Sequence, residues 1–183
     1  IPSTVTIEGM EINVTFIGDD AFRDCSSLTS IEIPSGVTEI GNYAFASVDK
    51  WGNPNGESNL ESVTFGEDSQ LTSIGNCAFA GCHLLTNIEI PSGVTSIGGY
   101  AFYGCSSLTN ISFGEDSQLT SIGSSAFNGC SSLTDIEIPS GVTSIGDAAF
   151  SGCSSLTSIE IPSGVTSIGT DAFHSCSRLT SVS

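Results

Sequence analysis

The sequence predicts a solenoid, a chain wound into stacked coils of about 23 residues with one short parallel strand per coil. Three observations carry that expectation. The phrase IPSGVTSIG occupies residues 138–146 and returns unchanged at residues 161–169. The dipeptide Ala-Phe recurs seven times, ending at Phe22, Phe45, Phe79, Phe102, Phe127, Phe150 and Phe173. Between these markers the aliphatic residues fall at fixed offsets, and a fixed period of this length is the signature of a repeat architecture.

The intervals between the Phe markers are 23, 34, 23, 25, 23 and 23 residues. Both departures have visible causes. FGEDSQ, at residues 65–70 and 113–118, stands where other units carry IPSG and adds two residues each time. The remaining nine extra residues fall within SVDKWGNPNGES, residues 47–58. The chain therefore reads as a single solenoid over residues 1–183 with about seven repeats and an insertion loop at 47–58. The first repeat is irregular, because VTIEGMEINVTFIG places extra residues before Val14. Ile1 opens in mid-pattern, so the expectation is a fragment of a longer array.

Each element of the unit has a physical reason. In the seventh unit Leu156, Ile159 and Ile161 form L-x-x-I-x-I, whose final alternation turns Ile159 and Ile161 inward and Ser158 and Glu160 outward. Pro162, Ser163 and Gly164 end the strand, since proline cannot donate to a ladder and glycine permits a turn. Val165 and Ile168 return to the interior. Ala172, Phe173 and Cys176 share one side of a helical or 3₁₀ turn. One such coil buries too little apolar surface to fold alone, so stability has to come from neighbours that cover each other's faces. At about 4.8 Å per coil, seven coils give a body roughly 30–35 Å long.

This pattern resembles the BspA-like (Treponema pallidum type) leucine-rich repeats. Their unit, L-x-x-I-x-I-P-x-x-V-x-x-I-G-x-x-A-F-x-x-C, is matched at residues 133–153 and again at 156–176. The resemblance implies a right-handed coil with strands on one side and short helical or 3₁₀ turns on the other. It also implies a cell-surface or secreted protein, adhesin-like, with protein or glycan ligands, and usually part of a longer chain.

Composition narrows the function further. Three basic residues (Arg23, Lys50, Arg178) stand against 20 acidic ones, for a formal charge of −17. Such a chain cannot release counterions from phosphates, which excludes nucleic-acid binding, and an anionic bilayer would repel it. No apolar run approaches the ~20 residues of a membrane span, so direct insertion is not expected. With only 13% of residues charged and the apolar ones periodic, the chain is folded rather than disordered.

No catalytic, cofactor-binding or metal-binding residue is assigned. Six of the seven cysteines (25, 82, 105, 130, 153 and 176) lie three residues after a repeat Phe and so form one column. Disulfides or a row of metal ligands are possible uses of such a column. Val48 holds the same place in the second unit and can neither bridge nor ligate, which favours buried thiols. Cys77, Cys82 and His83 give only C-x₄-C-H, short of four well-spaced zinc ligands. His83 and His174, the two histidines, lie four units apart, roughly 20 Å in the stack, and neither has a nucleophile positioned beside it. The GEDS turns supply too few oxygens for a calcium site.

The expected partner surface is the outward side of the strands. Glu32, Glu89, Asp135, Glu137, Ser158 and Glu160 form a polar, acidic strip suited to a cationic or hydroxyl-rich partner. Lys50 and Trp51, in the insertion, are a second candidate contact, because loops and exposed Trp concentrate recognition. A structural alternative is end-to-end self-association into a dimer or fibre, since open coil ends expose edges.

Overall fold

In the computed structural model, which describes residues 1–7 and 10–183, the chain stacks coil upon coil into two parallel sheets. The strands are β1 (Thr4–Ile7), β2 (Met10–Asn13), β3 (Phe16–Ile17), β4 (Ser30–Ile33), β5 (Glu39–Ile40), β6 (Ser62–Phe65), β7 (Ser73–Ile74) and β8 (Asn87–Ile90). They continue with β9 (Ser96–Ile97), β10 (Asn110–Phe113), β11 (Ser121–Ile122), β12 (Ser144–Ile145), β13 (Ser158–Ile159), β14 (Ser167–Ile168) and β15 (Ser181–Val182).

The L-x-x-I-x-I segments form the first sheet. β4, β6, β8 and β10 pair in parallel, the ladder is interrupted between β10 and the next coil, and beyond the break a Glu137–Glu160 bridge and the β13–β15 pair join the last coils. The second sheet was not expected. It has seven parallel strands, in the order β3, β5, β7, β9, β11, β12, β14, each made by the two residues before the glycine of T-x-I-G. A full coil therefore holds two short strands rather than one.

The expected helical or 3₁₀ turns are also corrected. No helix occurs among the described residues, and the A-F-x-G-C corner is a run of hydrogen-bonded turns. The cause lies in the backbone. The residue two before each repeat Phe has positive φ in all seven coils, from Asp20 at 55° to Asp171 at 56°. A second such residue follows four positions later in most coils, as at Gly104 (70°) and Gly152 (74°). Left-handed residues at that spacing leave no room for a right-handed helix to propagate. Alternate amides of the corner instead bond across coils: Tyr43 to the Asn76 carbonyl, Phe45 to Ala78, Phe102 to Ala126.

The core consists of columns running along the stack. The seven repeat Phe rings stack with centroids 5.1–5.5 Å apart and planes within 13° of parallel. Leu85, Leu108, Leu133 and Leu156 are fully buried beside them. Coils approach closely at the S-I-G corner. A Cβ on Gly98 would lie 2.6 Å from the Gly75 carbonyl carbon, and one on Gly123 the same distance from that of Gly98.

Side-chain ladders finish the stack. Thr38, Thr72, Thr95, Thr120, Thr143 and Thr166 each donate their hydroxyl to the carbonyl of the equivalent Thr one coil earlier, at 2.9–3.2 Å. That carbonyl already accepts the backbone amide of the same residue, so both of its lone pairs are used.

The irregular first repeat has a simple explanation. Val37 closes its PSG turn by donating to the Pro34 carbonyl at 3.0 Å, while Val14 donates to the Ser3 carbonyl at 2.8 Å. The ten positions between Ser3 and Val14 stand where the regular turn has one glycine. They carry the antiparallel pair β1–β2, with Val5 opposite Ile12.

Candidate functional site

The outward residues of the first sheet form two registered columns. β4, β6, β8 and β10, with the bridge beyond them, align Glu32 with Thr64, Glu89 with Ser112, and Glu137 with Glu160. The neighbouring column holds Asn87 beside Asn110 and Ser158 beside Ser181. Glu32, Glu89, Asp135, Glu137, Ser158 and Glu160 are all exposed, so the structure brings the six predicted strand residues onto one surface. Among the described residues the ion pairs are those of Arg23 with Asp20 (3.0 Å) and Asp24 (3.6 Å). The strand-face carboxylates accordingly have no cationic partner there.

Lys50 and Trp51 lie elsewhere. Their loop leaves the coil at the corner after Phe45, away from the strand face, and is fixed by its own polar groups. Val48 and Pro54 form an antiparallel bridge. The Asp49 carboxylate accepts the amides of Trp51 (2.8 Å) and Asn53 (2.9 Å), and the Asn53 bond leads in holding its pKa below the ordinary value. The Ser47 hydroxyl donates to Asn55 Oδ1 at 2.7 Å, and Asn55 Nδ2 donates to Asp24 Oδ1 at 3.4 Å. Pro54 lies over Gly104, where a Cβ would meet its ring. At the tip Trp51 is 77% exposed, with the Lys50 ammonium 5.0 Å from its ring centre.

Two grooves open beside the strand face, and they were not anticipated. One, of about 480 Å³, is lined by Phe65, Asp68, Glu89 and Pro91; the other, of about 470 Å³, by Phe113, Asp116, Glu137 and Pro139. Each lies where a GEDS turn, two residues longer than IPSG, stands next to a shorter turn on the following coil. The signal was present in the sequence as alternating turn lengths. What it lacked was the step in height that the alternation creates.

The middle of the cysteine column lies in the core. All seven thiols are free, and Cys82, Cys105, Cys130 and Cys153 are fully buried. Each donates to the carbonyl of the repeat Phe one coil earlier, for example Cys105 to Phe79 at 3.2 Å and Cys130 to Phe102 at 3.3 Å. Burial pushes Cys82 and Cys153 up to about 12 and holds Cys105 and Cys130 well above the ordinary thiol value. Thiols held protonated are neither nucleophiles nor metal ligands. Among the described residues no three His, Cys, Asp or Glu side chains converge as a metal centre.

Comparison with known proteins agrees with this architecture. A structure of a leucine-rich cell surface protein from Faecalibacterium prausnitzii is 37% identical, with a TM-score of 0.84 over 100% of this chain. The match spans 46% of that protein, so the present chain is about half its length. The leucine-rich repeat protein of T. pallidum is 27% identical, with a TM-score of 0.58, covering 98% of this chain and 76% of its own. One from Bacteroides capillosus is 31% identical over 62% of this chain and 74% of its own, with a TM-score of 0.51. No curated protein matches. The model of the BspA type leucine-rich repeat region fits six copies over residues 3–62 and 54–180, and the chain belongs to that family.

Proposed function

We propose that this chain is a non-enzymatic interaction module of a cell-surface or secreted protein, adhesin-like in role, whose strand face engages a cationic protein partner. The observation that carries the reading is the set of exposed carboxylates of Glu89, Asp135, Glu137 and Glu160, held on the outward side of successive coils with no ion-pair partner among the described residues. A rigid sheet presents such groups without an ordering cost at the moment of binding. The cell-surface location follows the F. prausnitzii relative, and no helix among the described residues is long and apolar enough to cross a membrane.

The Trp51 loop supports a second contact. A Trp 77% exposed on a loop tied by several hydrogen bonds is a preorganised anchor for a protein or glycan surface. Binding to a panel of host surface and matrix proteins, measured by surface plasmon resonance, tests both contacts. A variant with Glu89, Asp135, Glu137 and Glu160 changed to their amides is expected to lose at least ten-fold affinity for the captured partner. A variant with residues 49–53 replaced by Gly-Ser identifies any contribution of the loop. If the tetra-amide variant binds every partner as well as the parent does, the strand-face reading is wrong.

A further inference from the structure

The two grooves are copies of one design. Phe65, Asp68, Glu89 and Pro91 of the first recur as Phe113, Asp116, Glu137 and Pro139 of the second, each 48 positions later. The duplication follows from the order of turns along the stack: long at residues 66–69, short at 91–93, long at 114–117, short at 139–141. Each long turn settles onto the coil before it, with Gly66 donating to the Ile33 carbonyl and Gly114 to that of Ile90 at 2.8–2.9 Å. It therefore forms a ridge above the shorter turn that follows.

The chemistry of each groove is mixed. Phe65 and Phe113 are half-buried, with Pro91 and Pro139 partly exposed opposite them. Around these apolar surfaces stand the exposed carboxylates Asp68 and Glu89 in one groove, Asp116 and Glu137 in the other. That combination fits a lysine or arginine side chain, whose methylene stem covers aromatic and proline surface while its charged end meets the carboxylates.

Spacing then selects the backbone of the ligand. The grooves lie two coils apart, about 9.6 Å at the strand separation of about 4.8 Å that the continuous second sheet keeps. An extended β-strand repeats its side chains on one side every ~6.8 Å, which matches neither one coil step nor two. A polyproline II helix has three residues per turn and rises ~3.1 Å per residue, so its third residues share a side every ~9.3 Å.

Resting on the acidic strand face proposed above, we infer that the two grooves bind a basic peptide in polyproline II conformation. The peptide runs along the solenoid axis, and a lysine or arginine at every third position enters successive grooves. Two linked sites gain avidity only when the spacing allows both to be filled at once.

Fluorescence anisotropy of labelled synthetic peptides at 50 mM salt tests the assignment. One peptide repeats Lys-Pro-Pro and another Lys-Pro-Pro-Pro, with equal numbers of lysines. The three-residue repeat is expected to bind at least ten-fold more tightly. The double variant Glu89→Gln/Glu137→Gln is expected to lose that preference and at least ten-fold in affinity. Glu39→Gln/Asp171→Asn removes the same charge from exposed positions outside the grooves and is expected to leave binding within two-fold. Equal binding of both peptides overturns the spacing while leaving the acidic-face reading intact. Absence of binding by the parent protein, or equal losses in the two double variants, overturns the grooves as sites.

Discussion

Cys153 illustrates how one side chain ties this fold to its solvent conditions. Its thiol is fully buried and donates to the Phe127 carbonyl at 3.3 Å. Burial raises its pKa from 9.0 to about 12. Between those values the unfolded chain gives up the proton and the native chain keeps it, so the contribution is complete below pH 9 and declines as pH rises toward 12. The loss is about 1.4 kcal/mol per pH unit for each such thiol. Urea midpoints measured from pH 7 to 10.5 should be flat and then fall, and Cys153→Val, which copies Val48 in this column, should make the fall shallower. Backbone positions are just as specific. Ala148 has φ 51°, so Ala148→Gly is expected to raise stability by about 0.5–1 kcal/mol. Gly98→Ala should lower it by about 2–3 kcal/mol, because the new Cβ meets the Gly75 backbone 2.6 Å away. Equilibrium urea unfolding checks both signs.

At the level of elements, the insertion at residues 47–58 is less a flexible excursion than a small structured arch. Asp49 holds its turn by accepting two amides, and Pro54 anchors it against Gly104. Asp49→Ala should free the tip. The steady-state fluorescence anisotropy of Trp51, the one Trp in the chain, is then expected to fall. The unfolding free energy should change by less than about 0.5 kcal/mol, since the substituted residue touches no core column. An unchanged anisotropy would mean that the packing of Pro54 alone fixes the loop. The β1–β2 pair is a second excursion, built into the PSG turn as the arch is built into the A-F corner. Both additions leave the coil where the chain already turns, so neither disturbs the columns.

At the level of the whole molecule, charge accumulates faster than the stack can disperse it. The coils that carry GEDS have uncharged strand residues, Ser62 and Thr64 in one, Asn110 and Ser112 in the other, which separates Glu32, Glu89 and Glu137 along their column. The relief ends at the Glu137–Glu160 bridge, where two carboxylates meet on adjacent coils. Raising NaCl from 20 to 500 mM should therefore raise the melting temperature. Glu160→Gln should add about 0.2–1 kcal/mol at low salt and nothing at high salt. Calorimetry at the two salt concentrations decides. Much of this architecture was legible in the sequence: the Phe, Leu, Ile and Cys columns, both turn lengths, the insertion and the acidic strip all follow from a period counted by eye. The second sheet was not, because Ser144-Ile145 and its equivalents are too short to show alternation and pair only with other coils. The helical turns were misread because Ala148 or Tyr100 carries no mark of a left-handed backbone. The grooves escaped because they belong to the difference between two neighbouring coils, and no single unit contains them.

The ladder that passes from coil to coil also bears on how the molecule responds to pulling. Its hydrogen bonds run along the stack, as from Phe102 to Ala126 or Thr95 to Thr72, so tension applied between the two ends loads one coil boundary after another. Coils should peel away singly, each releasing about 23 residues or roughly 80 Å of chain. The second coil, with its 34-residue interval, should give one longer step of roughly 115 Å. An atomic-force record of regular steps with a single long one among them would mark the solenoid as a tether that lengthens in stages under load.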